Sequence, residues 1–175
     1  LAERSESIWY TRCTGIWRTV WLEPLPEQCI EDWEARPDFA RGEVEIRVRT
    51  RRAEAASLHV AIESEGQPAG EATGIVVGGR GSIRLPVTPW RAWSLQDPHL
   101  YEFTMRLAPV SEGQGAKATA PDCVRGYLGL REVGIAGGMV TLNGVPCYQK
   151  LVLDQAYWPE GVYTAPSDDA IRAEV

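Results

Sequence analysis

The side chains best suited to chemistry follow an apolar run near the end of the chain. Asp154 and Gln155 come directly after residues 148–153, which predict a short buried strand, and Trp158 follows shortly. Carboxylate and amide groups bind sugar hydroxyls, and an indole offers an apolar face to a pyranose ring. Substrates bind at the carboxyl ends of strands in α/β barrels, so one interpretation is that Asp154, Gln155 and Trp158 form the rim of a sugar pocket. The other, which the residues alone favour, is a strand-ending turn with a packed Trp158.

No other residues predict a free-standing active site. His59 alternates with apolar neighbours in a predicted strand and His99 lies in the sequence D-P-H-L, so we predict a solvated strand residue and a turn residue rather than ligands. Ser94 and Ser167 precede a turn and a helix, where a hydroxyl caps backbone amides. Residues 78–81 lack the following helix of a phosphate-binding loop and predict a hairpin tip. We predict no catalytic residue, metal or cofactor in these residues.

The charge balance argues against several classes of partner. The 175 residues include 18 Lys and Arg against 24 Asp and Glu, a formal charge of −6. Nucleic acids and anionic membranes require clustered positive charge, and no apolar run approaches the ~20 residues of a membrane-spanning helix. We therefore expect no nucleic-acid and no membrane partner.

The cysteines favour unbridged thiols. Cys13, Cys29, Cys123 and Cys147 are far apart in the sequence, without the close ligand pairs of a zinc site. Their number is also too low for a disulfide scaffold. We predict free and mostly buried thiols, with bridges as the alternative, and a cytoplasmic protein.

The middle of the chain predicts the framework. Apolar and polar side chains alternate, with the period of a half-buried strand, at residues 44–48, 58–62, 83–87 and 101–107. Turn-rich stretches separate them, and further strand segments lie near residues 74–77 and 123–133. About seven short strands over roughly a hundred residues, without helical periodicity, predict an all-β fold, an immunoglobulin-like antiparallel β-sandwich.

The N-terminal segment differs from the middle. Residues 9–21 contain four large aromatic side chains, and residues 19–22 have strand character. So many aromatics in a short segment need a partner surface. The chain begins at Leu1 without the features of a signal peptide, which leads us to expect a piece of a longer polypeptide.

The C-terminal segment predicts the opening of another domain. Asn143 and Gly144 suit a type I′ hairpin. Ser167 predicts the N-cap of a helix beginning at Asp168, whose acidic first turn matches the helix dipole. A strand, a loop and then a helix are typical of a parallel α/β domain.

Four stretches carry a resemblance when taken in order. They are Y-T-R-C-T-G-I-W-R-T-V-W-L-E-P at residues 10–24, W-S-L-Q-D-P-H-L-Y at 93–101, G-L-R-E-V at 129–133 and L-N-G-V-P at 142–146. The first resembles the last jelly-roll strands of glycoside hydrolase family 2, the β-galactosidase, β-glucuronidase and β-mannosidase group. The others resemble its W-S-x-x-x-P-x-L-Y, G-[FM]-R-x-[VI] and L-N-G-x-P motifs. Each motif alone is weak, whereas the ordered set covers nearly the whole chain.

The resemblance implies three parts and a parent enzyme. Residues 1–27 would be the C-terminal strands of a sugar-binding jelly-roll domain, 28–134 the immunoglobulin-like sandwich and 135–175 the start of a (β/α)8 catalytic barrel. The family cleaves terminal β-glycosides with retention, through two glutamates whose carboxyl groups lie ~5–5.5 Å apart. Both lie on later barrel strands in the family. We therefore expect a β-galactosidase-like glycosidase of carbohydrate metabolism as the parent, and no hydrolysis by these residues alone.

The resemblance also implies partners and leaves the sugar open. The partners would be the jelly-roll and barrel domains of the same polypeptide, with a glycoside bound only in the full-length enzyme; a homo-oligomeric parent stays open. Lys150-Leu151 replaces the family's common Arg-Gly, and Gln155 stands near the His of many β-galactosidases. A family branch with D-Q-x-x-W-P is more similar to residues 154–159. In a complete barrel, the resemblance implies that Asp154 and Gln155 bind sugar hydroxyls at the rim of the pocket and that Trp158 supplies a stacking face.

Two other functions stay open. A stand-alone carbohydrate-binding or adhesion sandwich would use Trp9, Trp17, Trp90 and Trp93 as stacking platforms, and millimolar or tighter sugar binding would favour it. A small autonomous hydrolase would cleave a chromogenic glycoside.

Overall fold

Strands between residues 30 and 128 build the larger of two compact units. The computed structural model describes residue 6 and residues 9–52, 54–110, 120–155 and 157–174. Contacts between Cα atoms divide the chain into one unit of Pro24–Gln149 and a smaller unit made of Leu1–Glu23 and Lys150–Val175. The N- and C-terminal segments therefore belong to the same unit.

Two antiparallel sheets form the larger unit. In the part of the chain that the structure describes, they contain the seven strands β1 (Ile30–Asp38), β2 (Glu43–Thr50), β3 (Ala56–Ser64), β4 (Gln67–Val76), β5 (Arg80–Pro86), β6 (Tyr101–Pro109) and β7 (Asp122–Leu128). One sheet has the order β1-β2-β5 and the other the order β4-β3-β6-β7. The predicted all-β antiparallel sandwich is confirmed.

Apolar side chains that alternate with polar ones along the strands form the core between the two sheets. Ile46 of β2 lies opposite Ile83 of β5, and Val60 of β3 lies opposite Met105 of β6. Directly opposed residues point to the same face of a sheet, and these four are buried. The buried side chains of β6 are Tyr101, Phe103, Met105 and Leu107. The core is thus built by the apolar patterns that predicted the strands.

Close contacts fix the two sheets along their sides. A β-carbon on Gly70 of β4 would lie 2.4 Å from the carbonyl oxygen of Pro86, so β4 approaches β5 more closely than a side chain allows. Elsewhere, the Asp122 carboxylate accepts a 2.7 Å hydrogen bond from the N–H of Ile30. These contacts tie the start of β1 to β7 and the middle of β4 to the end of β5.

Two predicted hairpins are confirmed by the backbone angles. The strands β8 (Val133–Ala136), β9 (Met139–Leu142) and β10 (Val145–Pro146) form a third, smaller sheet in the larger unit, in addition to the two of the sandwich. Asn143 and Gly144 join β9 to β10 with φ of 52° and 78°, as a type I′ turn requires. Gly78 and Gly79 have φ of 61° and 76° between β4 and β5.

Two predicted strands are absent from the structure. Residues 19–22 and 148–153 have no strand pairing, and their apolar side chains, such as Trp21 and Val152, are exposed. A strand needs a neighbour to accept and donate its backbone hydrogen bonds. No described strand lies beside either segment, so apolar composition alone does not make them strands. The exposure of residues 148–153 corrects the prediction that they form a buried strand.

The prediction that the cysteines are free is confirmed, and the prediction that most of them are buried is wrong. All four cysteines are unbridged, but only Cys29 is buried; Cys13 and Cys123 are exposed and Cys147 is partly exposed. Cys123 belongs to an edge strand, where alternate side chains face solvent. Among the described residues, no helix is long and apolar enough to span a membrane.

The Tyr101 hydroxyl connects the core to the segment before β6. It donates a 2.7 Å hydrogen bond to the carbonyl of Pro89 and accepts one of 2.7 Å from the N–H of Arg91. Burial raises the pKa of this hydroxyl above its usual value. One buried oxygen thus satisfies two backbone groups of a segment that has no strand partners of its own.

We expect the Tyr101→Phe substitution to destabilise the chain by about 1–3 kcal/mol, because it leaves a backbone donor and acceptor unpaired. The free energy of unfolding in urea measures this. Tyr127→Phe is the matched control, since Tyr127 is 69% exposed, and should change stability by less than about 0.5 kcal/mol. Equal effects of the two substitutions would contradict the role of the Tyr101 hydroxyl.

Candidate functional site

Four aromatic rings join the two segments of the smaller unit. Tyr10 lies against Tyr157 with ring centroids 4.6 Å apart, and Tyr157 meets Tyr163 edge-on at 5.8 Å. Trp17 lies 5.5 Å from Tyr163. Aromatic pairs at these distances contribute beyond the apolar area they bury. Tyr10 and Trp17 therefore have ring partners in the C-terminal segment, whereas Trp9 and Trp21 are exposed.

Hydrogen bonds hold the same segments in register. The Tyr157 hydroxyl donates to the carbonyl of Thr11 at 3.3 Å, and the Thr164 hydroxyl donates to the carbonyl of Trp17 at 3.4 Å. The rings and the backbone of the two segments are thus linked at more than one point.

A tight turn follows the predicted site motif. Trp158 and Val162 exchange backbone hydrogen bonds of 2.7 and 3.0 Å. A β-carbon on Gly161 would lie 1.9 Å from the carbonyl oxygen of Thr164, so only glycine fits between them. The turn folds residues 158–162 back on themselves and fixes where Tyr163 lies.

A cleft of about 780 Å³ in the smaller unit contains two of the three predicted site residues. Its volume is within the usual range for small-molecule sites. Asp154 and Gln155 line it, and Trp158 does not. The lining residues are Tyr10, Lys150, Val152, Leu153, Asp154, Gln155, Tyr157, Ile171 and Glu174. The structure therefore brings Asp154 and Gln155 together with two tyrosines that the site prediction did not include.

The short helix α1 (Asp168–Glu174) borders this cleft through Ile171 and Glu174. The Ser167 hydroxyl accepts a 3.1 Å hydrogen bond from the N–H of Ala170, which confirms the predicted N-cap. Among the described residues, no three His, Cys, Asp or Glu side chains are grouped closely enough to hold a metal ion.

A second cluster lies at the junction between the sandwich and the β8–β10 sheet. The side-chain N–H of Asn143 donates to the carbonyl of Trp93 at 2.9 Å, and its oxygen accepts from the N–H of Glu132 at 3.0 Å. The Arg131 guanidinium lies over the Trp93 ring, 4.8 Å from its centroid. Residues from three distant stretches thus meet at one point.

An ion pair shapes the loop that carries Trp93. Arg91 donates two hydrogen bonds of 2.7 Å to Asp97 and one of 2.9 Å to Glu65. The hydrogen bonds from Arg91 lower the pKa of Asp97 and raise that of Arg91. The Ser94 hydroxyl accepts from the N–H of Asp97 at 3.0 Å, so Ser94 caps a turn as predicted.

The histidines are placed differently from each other. His59 is a partly exposed strand residue, 3.8 Å from Glu71. His99 is buried, shares a 3.0 Å hydrogen bond with the Ser64 hydroxyl and meets Tyr101 edge-on. His99 lies in the irregular segment before β6, and its burial was not predicted.

The platform tryptophans of the binding-module hypothesis are divided between the two units, two in each. Trp90 packs against the core and meets Phe39 edge-on, and Trp93 is covered by Arg131. Trp9 and Trp17 belong to the other unit, and Arg18 lies over the ring of Trp17 at 4.5 Å. Three of the four rings therefore already have partners on the protein.

The sequence profile described as Glycosyl hydrolases family 2 matches residues 28–120, more than half of the chain. The chain belongs to this family. The matched residues contain β1 to β6 and the loop with Trp93. The predicted membership of the family is thus confirmed, and of the four stretches that carried the resemblance, residues 93–101 lie within the match.

Curated relatives of this family 2 chain are β-galactosidases. The chain is 26% identical over 182 residues to the enzyme of Photobacterium profundum, covering 95% of the chain and 17% of the relative. It is 29% identical over 153 residues to that of Pectobacterium atrosepticum, covering 77% of the chain and 14% of the relative. The chain thus spans about a sixth of the length of the relatives it matches, as expected for part of a multidomain protein.

Solved structures agree on the fold. A β-glucuronidase from Ruminococcus gnavus in complex with D-glucuronic acid matches 72% of the chain and 20% of its own length, with a TM-score of 0.52 and 22% identity. A second structure of that enzyme, with D-glucaro-d-lactam, has a TM-score of 0.52 and 24% identity. In this family 2 chain, the junction cluster gives the motif residues Trp93, Asn143 and Arg131 a structural role.

We expect Asn143→Gly to destabilise the family 2 chain by about 1–3 kcal/mol, because both side-chain hydrogen bonds are lost while the positive φ stays accessible. Asn143→Ala should cost about 1 kcal/mol more, since a β-carbon disfavours φ of 52°. Urea unfolding measures both, and hydrogen exchange of the β8 and β9 amides locates the effect. Equal stability of Asn143→Gly and wild type would refute the bridging role.

The Arg91–Asp97 pair predicts a pH dependence. The folded state lowers the pKa of Asp97, so its stabilisation is complete above the unfolded pKa of about 3.9 and is lost as the pH falls through the lower folded value. The Asp97→Asn variant should therefore lose less stability than wild type between about pH 5 and about pH 2, measured as the urea midpoint. Asp32→Asn, which removes an exposed carboxylate 3.9 Å from Arg49, should keep the wild-type slope. A wild-type slope in Asp97→Asn would count against the pair.

Proposed function

We propose that the chain is a non-catalytic interdomain part of a retaining, β-galactosidase-like glycosidase that hydrolyses terminal β-glycosides. In this proposal residues 1–27 end a sugar-binding jelly-roll domain, 28–134 form the immunoglobulin-like sandwich and 135–175 begin a (β/α)8 barrel. The two catalytic glutamates would lie further along the parent polypeptide. The parent's cytoplasmic location is part of the proposal, supported by four unbridged cysteines.

An apolar sheet face held rigidly to the sandwich carries this proposal. Val133 lies opposite Leu142, Ile135 lies opposite Val140, and Val145 pairs with Leu142, so these side chains share one face. Val133, Ile135 and Val145 are each at least 65% exposed. Exposed apolar patches on folded proteins are typical of interaction sites.

The opposite face of the β8–β10 sheet is attached to the sandwich. Thr141 is buried, and Asn143 ties the turn to Trp93 and Glu132. The sheet is therefore anchored on one side and bare on the other. A spacer needs this arrangement, because an apolar surface fixes a neighbouring domain only if it is itself fixed.

The outer face of the β1-β2-β5 sheet is charged, unlike the apolar face of the β8–β10 sheet. Glu45 accepts hydrogen bonds of 2.8 Å from Arg47 and from Ser82, and Arg84 lies 3.6 Å away. These contacts, with that from Arg47 foremost, lower the pKa of Glu45. A face of paired charges is stable in water, which leaves the β8–β10 sheet as the better surface for a neighbouring domain.

We expect the purified chain to give no turnover of a chromogenic β-galactoside, because the glutamate pair would lie outside it. Circular dichroism would establish that the chain is folded, and a complete β-galactosidase would serve as the active control. Trp fluorescence should also stay unchanged up to millimolar methyl β-galactoside, since Trp17, Trp90 and Trp93 already pack against other side chains of the protein. Turnover by the chain would overturn the non-catalytic assignment, and a millimolar response would favour a binding module.

A further inference from the structure

The outer face of the β4-β3-β6-β7 sheet carries charges that have no partners on the chain. Glu63 of β3 and Glu102 of β6 lie directly opposite each other, and Arg106 lies two positions further along the same face of β6. All three are exposed, and within the described part of the chain none of them forms an ion pair or a side-chain hydrogen bond. Like charges directly opposed on two strands destabilise a sheet, so the isolated chain gains no stability from this arrangement.

The charge of this face changes sign along the strands. Glu63 and Glu102 form an acidic row, and Arg106 belongs to the basic part of the face. Between them lie Ala61 and Thr104, whose side chains are small. Small central side chains let a second sheet approach to the ~10 Å at which facing sheets pack. A face that is acidic at one end and basic at the other is complementary to a copy of itself turned end for end.

We infer that this face binds a second copy of the chain, with a two-fold axis that crosses the strands at Thr104. Because Glu102 and Arg106 lie equally far from Thr104 on either side, this axis places Glu102 of each copy over Arg106 of the other. Glu63 of each copy meets His59 of the other in the same way. Every pair is formed twice, as in any isologous interface. The contact goes beyond the proposed function and does not depend on it.

The remaining charges predict that the dimer is weak. Glu71 of β4 and Arg125 of β7 lie level with Thr104, so each approaches its own counterpart in the second copy. Both belong to edge strands, where a long side chain can turn towards solvent. Each copy also has a formal charge of −6, and net charge of one sign opposes association.

The size of the face leads to the same expectation. Four strands ~4.8 Å apart, with outward-facing residues ~6.8 Å apart along each strand, cover about 500 Å² on each copy. The total of about 1,000 Å² is at the lower limit for a specific interface. We therefore expect a dimer that forms only at high concentration.

The test is sedimentation equilibrium of the whole 175-residue chain. The average mass should rise from 19.4 kDa towards twice that value, with a Kd on the order of 100 μM. Glu102→Arg and Arg106→Glu each set like charges against each other and should weaken association at least about tenfold. The double variant E102R/R106E restores opposite charges and should associate within about threefold of wild type.

Glu34→Arg is the matched control, because it changes the net charge as Glu102→Arg does but belongs to β1 in the other sheet. It should associate at least as well as wild type, and circular dichroism would establish that every variant is folded. A wild-type chain that stays monomeric up to about 1 mM would overturn the inference. An unaffected Glu102→Arg or an unrestored double variant would do the same. Association lost in Ile135→Lys but kept in Glu102→Arg would overturn it as well, by placing the contact on the β8–β10 sheet.

Discussion

The side-chain amide of Asn143 fixes the β8–β10 sheet to the sandwich, and the proposed role as a spacer depends on this attachment. A hairpin of short strands is marginal alone in water, and the β8–β10 sheet keeps its place because one amide satisfies a donor of Glu132 and an acceptor of Trp93. Trp93 is held in turn by its N–H, which donates to the carbonyl of Leu130 at 2.9 Å. The small sheet is therefore an extension of the sandwich.

The smaller unit follows a different principle. It has no sheet of its own among the described residues, and its segments are joined by aromatic rings and by single hydrogen bonds to carbonyls. Few backbone hydrogen bonds fix it, so its order depends on side-chain packing. Tyr10 and Tyr157 line the cleft and also join the two segments. The shape of the cleft therefore depends on the packing of the smaller unit.

The sequence predicted the elements whose pattern is local. Strands β2, β3, β5 and β6 follow from alternating side chains, and the two hairpin tips and the helix cap follow from residues that favour those conformations. Strand β1 has no such signal, because only Ile30 of its side chains is buried. The prediction of a strand at residues 148–153 is wrong because these residues are apolar but have no strand beside them.

The site was predictable only in part for a related reason. Asp154 and Gln155 are adjacent in sequence, so their shared cleft follows from their position. Tyr10 lies at the other end of the chain, and no local pattern links it to Tyr157. The only sequence signal was the excess of aromatics near the N-terminus, which indicated a missing partner surface without identifying it.

The turn at Asn143 and Gly144 is also a site at which we expect deamidation. Asparagine is among the thermolabile residues, and the glycine that follows Asn143 makes its side-chain amide easier to lose. The unhindered backbone nitrogen of Gly144 attacks the side-chain carbonyl carbon and expels ammonia, and water then opens the cyclic imide to aspartate or isoaspartate. The resulting aspartate still accepts from Glu132 but has no N–H for the carbonyl of Trp93, so two oxygens would face each other. Deamidation of Asn143 would therefore weaken the attachment of the β8–β10 sheet and leave the sandwich itself intact.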